Sequence, residues 1–224
     1  MKELFRVAAA LSAVAAFALV AGTAPAGART AGNSVTYQDS TGEDPASFDI
    51  SQIVVSNDDT GLLTFAITLK NGPAALSGRN DVSIYFDTDN NMTDSSGPSY
   101  DGAELTIEVA DGSVNAYKWD GNNFTWSGAQ PSSLVYSYGG GVLTIRVNAN
   151  DLSLGSFGFW VLADTDYGDP NSHVDEAPDP GHGNFDYQVK ISPPAPPATT
   201  QKHVKPVPKC KKKQKSTKAH PCHK

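Results

Sequence analysis

Apolar and polar residues alternate with a period of two through much of the chain, the pattern of strands with one face on a core and one in water. Leu63, Phe65, Ile67 and Leu69 alternate with Thr64, Ala66, Thr68 and Lys70. Val82, Ile84 and Phe86 alternate with Ser83, Tyr85 and Asp87, and Ala103, Leu105, Ile107 and Val109 with Glu104, Thr106 and Glu108. Leu143, Ile145 and Val147 repeat the pattern against Thr144, Arg146 and Asn148. Shorter strands are predicted at 50–56, 114–119, 124–126, 134–138, 157–164 and 185–191. Asp111-Gly112, Asp120-Gly121 and Gly139-Gly140-Gly141 supply hairpin turns between them. Only 148–154 reads as a helical turn. Nine or ten short strands, each with one polar face, predict an all-β, antiparallel sandwich or barrel.

The two ends of the chain break this pattern. Lys2 and Arg6 precede an apolar run from Val7 to Val20, and Ala26-Gly27-Ala28 offers a cleavage site, so 1–28 reads as a secretory signal peptide. The run is shorter than the roughly 20 residues of a spanning helix. After Ile191 a proline-rich linker, 192–201, leads into a lysine-rich tail, 202–224, too poor in apolar residues to bury a core. The expected organisation is therefore a signal peptide, an N-terminal extension at 29–44, one β-sandwich domain at 45–191, the linker and a disordered tail. The expected localisation is secreted, or associated with the cell wall, with no transmembrane segment once the signal is cleaved.

Charge divides along the same boundaries. Residues 29–190 hold 23 acidic and 6 basic residues, whereas 191–224 holds 9 lysines and no acid, so a net charge of −7 conceals two opposed halves. The tail suits an anionic wall polymer; without aromatic residues for base stacking it gives no reason to expect nucleic acid. It also contains both cysteines, Cys210 and Cys222, expected to form a disulfide in an exported chain.

Two acidic stretches begin where an apolar strand ends. Asp87-Thr88-Asp89-Asn90-Asn91-Met92-Thr93-Asp94 alternates side-chain oxygens around a tight loop, the manner in which Ca²⁺ is held. Met92 stands where an EF-hand has its glycine and Pro98 where it has its glutamate, so this is no EF-hand. Asp87, Asp89 and Asn91 are the candidate ligands, against the alternative of a solvated turn. The second stretch, from Asp164 through Asp166 and Asp169 to Asp175, Glu176 and Asp179, offers Asp164, Asp166 and Asp175 as a further calcium set, against that of a plain long loop. Asp58-Asp59 reads as a hairpin device.

Trp119, Trp126, Tyr117 and Tyr136 belong to three neighbouring aromatic segments and are the candidate ligand-binding residues. Exposed rings on a sheet stack against sugars, and the competing reading is that they cover the core. Catalytic machinery is harder to find. The chain has no nucleophile elbow, metalloprotease helix or phosphate loop. Glu104 and Glu108 lie about 13 Å apart along a strand and read as solvated positions, too far apart for a glycosidase pair. A hydrolase working from 164–186 stays open as an alternative, as does an envelope protein retained by its tail.

The order of these motifs, from Ile50 to Asp59, then Gly61 to Phe65, then Tyr85-Phe86-Asp87-Thr88-Asp89-Asn90-Asn91, resembles secreted bacterial β-sandwich modules. These are similar to family-9 carbohydrate-binding modules and DOMON-like domains. The resemblance covers roughly residues 45–191 and implies a jelly-roll-like sandwich with structural Ca²⁺ at the Asp87–Asn91 loop. It also implies binding of sugar or haem. The signal peptide, the sandwich pattern, the Asp loops and the aromatic segments together give the expected function, a non-catalytic module that binds glycan or a cell-wall polymer.

Overall fold

The computed structural model describes residues 32–94, 100–126 and 128–191. The expected signal peptide, the linker, the basic tail and the Cys210–Cys222 pair lie outside these residues. Within them the chain is all-β: β1 (Ser34–Gln38), β2 (Asp49–Asn57), β3 (Leu62–Lys70), β4 (Asp81–Asp87), β5 (Leu105–Ala110) and β6 (Ser113–Trp119) come first. β7 (Phe124–Thr125), β8 (Val135–Gly139), β9 (Val142–Asn148), a helical turn α1 (Ala149–Leu152), β10 (Ser156–Thr165), β11 (His173–Ala177) and β12 (Phe185–Gln188) follow.

Two antiparallel sheets result. The first has the order β1-β2-β3-β9-β8. The second has the order β11-β10-β4-β5-β6-β7, with β12 sharing the outer edge of β10 beside β11. β3 pairs with β9 in the first sheet and β4 with β10 in the second, so both the β3–β4 and the β9–β10 connections cross between sheets. This paired crossing is the wrap of a jelly roll.

Alternation places the core. Ile53, Val55, Leu63, Phe65, Ile67, Leu143, Ile145 and Val147 point inward from the first sheet. Val82, Ile84, Phe86, Ile107, Val109, Phe157, Phe159 and Val161 meet them from the second, all nearly or wholly buried. Phe65 sits edge-on to Phe86 at 5.7 Å and to Phe159 at 5.8 Å, so one ring from the first sheet keys two of the second. The Asp111-Gly112 and Gly140-Gly141 turns both have positive φ at their two central residues, which is what tight hairpins between twisted strands require.

The structure extends the domain on its N-terminal side. Residues 34–38, within the segment expected to be an extension, form an edge strand paired with β2 from Ser34↔Ser56 to Gln38↔Gln52. Tyr37 anchors it, edge-on to Phe159 at 5.2 Å and against Phe185 at 4.7 Å. A second correction concerns the acidic stretch after β10. It is not one long loop but a hairpin, with β11 pairing from Val161↔Ala177 to Thr165↔His173.

Candidate metal centre and the adjacent aromatic face

Asp87 ends β4 on the sheet face turned away from the core, between two neighbours of opposite character. On one side its partner is Gly158 of β10, which has no side chain. On the other, one step past the Phe86↔Leu105 pair, lies Glu104, whose amide donates to Phe86 O at 3.0 Å. The loop then folds back. The amide of Asn91 donates to Asp87 Oδ1 and to Asp89 Oδ1, both at 3.0 Å, drawing the two carboxylates over one point. The loop lies so close to Gly102, at φ 74°, that a Cβ there would stand 2.2 Å from Asn91 O. Only glycine fits that approach.

Asp87, Asp89 and Glu104 each offer an oxygen within 4.8 Å of the others. Glu104 Oε2 accepts from the amide and hydroxyl of Thr88, at 2.7 and 2.8 Å, while Oε1 is buried without a partner. Asn184 reaches in from the residue before β12, its Nδ2 donating to Asp87 Oδ2 at 3.2 Å, and its Oδ1 is likewise buried and unpartnered. Burial, then repulsion from Glu104 and Asp89, push the Asp87 carboxyl above the ordinary range against the pull of its backbone hydrogen bonds. Three converging carboxylates, with one oxygen of Glu104 unpaired and out of water, fit an oxygen-seeking cation such as Ca²⁺.

Sequence reasoning finds two of these three acids. The side chain of Asn91 is spent inside the loop, with Oδ1 on Thr93 and Nδ2 on Asp94, so Asn91 organises the loop through its amide. Glu104 is not a solvated strand position but the third member. Its signal is the antiparallel register, which sets it opposite Asp87. Asn184 lies 97 residues from Asp87, and no local pattern marks it.

The second predicted set is not brought together. Asp164 lies on the outer face of β10, directly opposite Asp81 of β4, whereas Asp175 opposes Ala163 and points inward. Asp166 follows in the turn with φ 65°. Asp81 and Asp164 are both buried, each with Oδ1 unpartnered. Burial first, then Asp164 and Glu108, push Asp81 up to about 7.

The aromatic candidates divide similarly. Tyr117 and Trp119 share the outer face of the second sheet, and the Trp119 amide donates to Glu104 O at 2.9 Å, so Trp119 stands beside the acidic centre. Phe124 packs on Trp119 at 5.2 Å, Tyr100 lies 6.3 Å away, and Tyr85 stacks on Trp160 at 4.2 Å and 10°. Tyr85, Tyr100 and Trp160 escape the sequence reading, since they join this face only through the sheet. Trp126 turns the other way and packs against the core, its Nε1 donating to Ala129 O at 3.0 Å. It still meets Trp119 along an open cavity of about 270 Å³ at the sheet edge, with Lys118, Asp120 and Thr125. Tyr136 is elsewhere: β8 hairpins with β9 in the first sheet, and Tyr136 packs on the core from that side.

No helix among the described residues is long and apolar enough to cross a membrane. No family model matches the chain, and a search of the curated proteins finds no match.

Proposed function

We propose that this chain is a secreted, non-catalytic binding module, ordered by Ca²⁺ at Asp87, Asp89 and Glu104, that takes up a glycan or cell-wall polymer on the neighbouring aromatic face. The observation that carries the reading is the convergence of three carboxylates around the buried, unpartnered Glu104 Oε1. A cation there neutralises charge that otherwise repels, and it ties the β4–β5 loop to the strands beneath it. Trp119, half-buried and hydrogen-bonded through its amide to the Glu104 carbonyl, is the ring best placed to feel that ordering. A half-exposed indole offers a flat apolar surface to a sugar ring, and Lys118, Asp120 and Thr125 beside it supply groups for hydroxyls. Asp164 and Asp175 lie on opposite faces of the second sheet, so these two acids do not act as a pair, which favours binding over the hydrolase alternative.

The test is retention of the purified chain on a panel of immobilised polysaccharides in calcium, beside an albumin control. The expected result is retardation on at least one polymer, weakened about five- to thirtyfold in Trp119→Ala, as the loss of one stacking ring of about 1–2 kcal/mol implies. Mobility equal to albumin on every polymer would remove the glycan part of the reading.

A further inference from the structure

Away from the Asp87 centre, five acidic side chains from separate stretches gather where the edge of the first sheet meets β11. Asp39 and Glu43 lie between β1 and β2, Asp49 opens β2, Asp175 lies on β11, and Asp179 follows it. Hydrogen bonds bring them together, since the residue after Asp49 donates its amide to Asp175 and the residue after Asp39 donates its hydroxyl to Asp179. The carboxylates repel one another there, Asp175, Asp179 and Glu43 acting on Asp39, and Asp49, Glu43 and Asp179 on Asp175. Burial is the larger cause in both cases, and it pushes Asp39 up to about 7 and Asp175 up to about 6.

Two contacts hold the group in place. Asp175 Oδ2 accepts from the Ile50 amide at 2.6 Å, so an acid of the second sheet caps a strand of the first. Ser40 Oγ donates to Asp179 Oδ2 at 2.5 Å. What remains is unsatisfied. Asp49 is only 6% exposed, yet its Oδ1 is buried without a partner, and Asp39 Oδ2 is in the same condition. Lys70, opposite Asp49 in the ladder, donates its ammonium to Thr41 Oγ1. Unpaired carboxylate oxygens out of water are destabilising unless a proton or a cation relieves them. The set contains only carboxylates and a hydroxyl, the donors of a hard divalent ion.

We propose that Asp39, Asp49, Asp175 and Asp179 form a second calcium site, which ties the β1–β2 edge of the first sheet to β11 of the second. This inference rests neither on the Asp87 centre nor on glycan binding. Among the described residues only the Asp87 group has three carboxylate oxygens within 4.8 Å of one another. The second set must therefore draw in on binding, which makes it the weaker of the two sites. It belongs at the roughly 10⁻⁴–10⁻³ M affinity of extracellular calcium modules.

Equilibrium dialysis of the purified chain against calcium up to about ten times that range counts the ions. Two ions per chain are expected. Asp87→Ala should keep the weaker one, and Asp49→Asn or Asp175→Asn the tighter one. Both amide substitutions preserve shape, and in Asp175→Asn the side-chain carbonyl still accepts from the Ile50 amide, so circular dichroism should show the fold intact. Asp111→Asn, at an exposed turn, should keep both ions. A wild-type count of one, lost in Asp87→Ala and unchanged in Asp49→Asn, overturns the second site and leaves the first. A count of one, lost in Asp49→Asn and kept in Asp87→Ala, upholds the second site and removes the first. Equal loss in Asp111→Asn reduces the second site to diffuse binding on an acidic surface and overturns it.

Discussion

At the scale of single residues, the second sheet concentrates unpaired acid on the face away from the core. Asp81 shows the consequence most directly. It is 3% exposed and faces Asp164 across the strand, with Glu108, Ser83, Tyr85 and Tyr167 around it, and its carboxyl is pushed from 3.8 to about 7. Below about pH 4 the group is protonated whether the chain is folded or not, so it does not affect stability. Between about 4 and 7 the folded chain holds a proton that the unfolded chain has released, so stability falls as pH rises through that window, then levels off. In EDTA the melting temperature should accordingly be higher at pH 5 than at pH 7.5. Asp81→Asn should flatten the slope and raise the melting temperature at pH 7.5 by about 2–8 °C, the equivalent of about 1–2 kcal/mol in a domain of this size. Thermal melts of both proteins across that range decide it: an unchanged slope in Asp81→Asn would assign the pH dependence to other acids. Of the candidate site, Asp87 and Asp89 are legible in the sequence because both lie in one loop. Glu104 and Asn184 are not, because a register and a distant turn bring them in.

At the scale of elements, strands whose inward positions are uniformly apolar are legible. β3, with Leu63, Phe65, Ile67 and Leu69 inward, announces itself and needs no tertiary information. β11 does not, because one inward position is Asp175, whose carboxylate is accommodated by the Ile50 amide of the other sheet. β1 offers only Val35 and Tyr37 between polar residues, too short an alternation to read. The edge strand nonetheless contributes to the core through Tyr37, which contacts Phe159 and Phe185 and donates its hydroxyl to Asp186 O. Tyr37→Ala should destabilise the domain by about 2–4 kcal/mol, whereas Tyr37→Phe, which loses only the hydrogen bond, should cost about 1 kcal/mol. Denaturant titration separates the two, and equal costs would show that the ring packing is not what holds β1. At the helical turn, Asn148 accepts from the Asn150 amide at 3.0 Å and so caps the first turn of α1.

At the scale of the whole molecule, a jelly-roll core with no cysteine is combined with clusters of carboxylates that repel one another when bare. The core sets the register of the strands, and the register sets Asp87, Glu104 and Trp119 side by side on one face. On the function proposed above, calcium would convert this cluster into a tie between loop and sheet, beside the ring proposed to meet the ligand. The most direct test is a thermal melt of the purified chain in excess EDTA and in about 0.01 mM free calcium, a level at which a second site of about 10⁻⁴–10⁻³ M affinity stays largely empty. If that concentration is about 100 times the dissociation constant of the Asp87 centre, the ion adds about 2.7 kcal/mol, or about 5–10 °C. The account predicts a shift of that order in the wild-type chain, abolished in Asp87→Ala and sharply reduced in Glu104→Gln. Identical melts with and without calcium, or a shift that survives both substitutions, would contradict it.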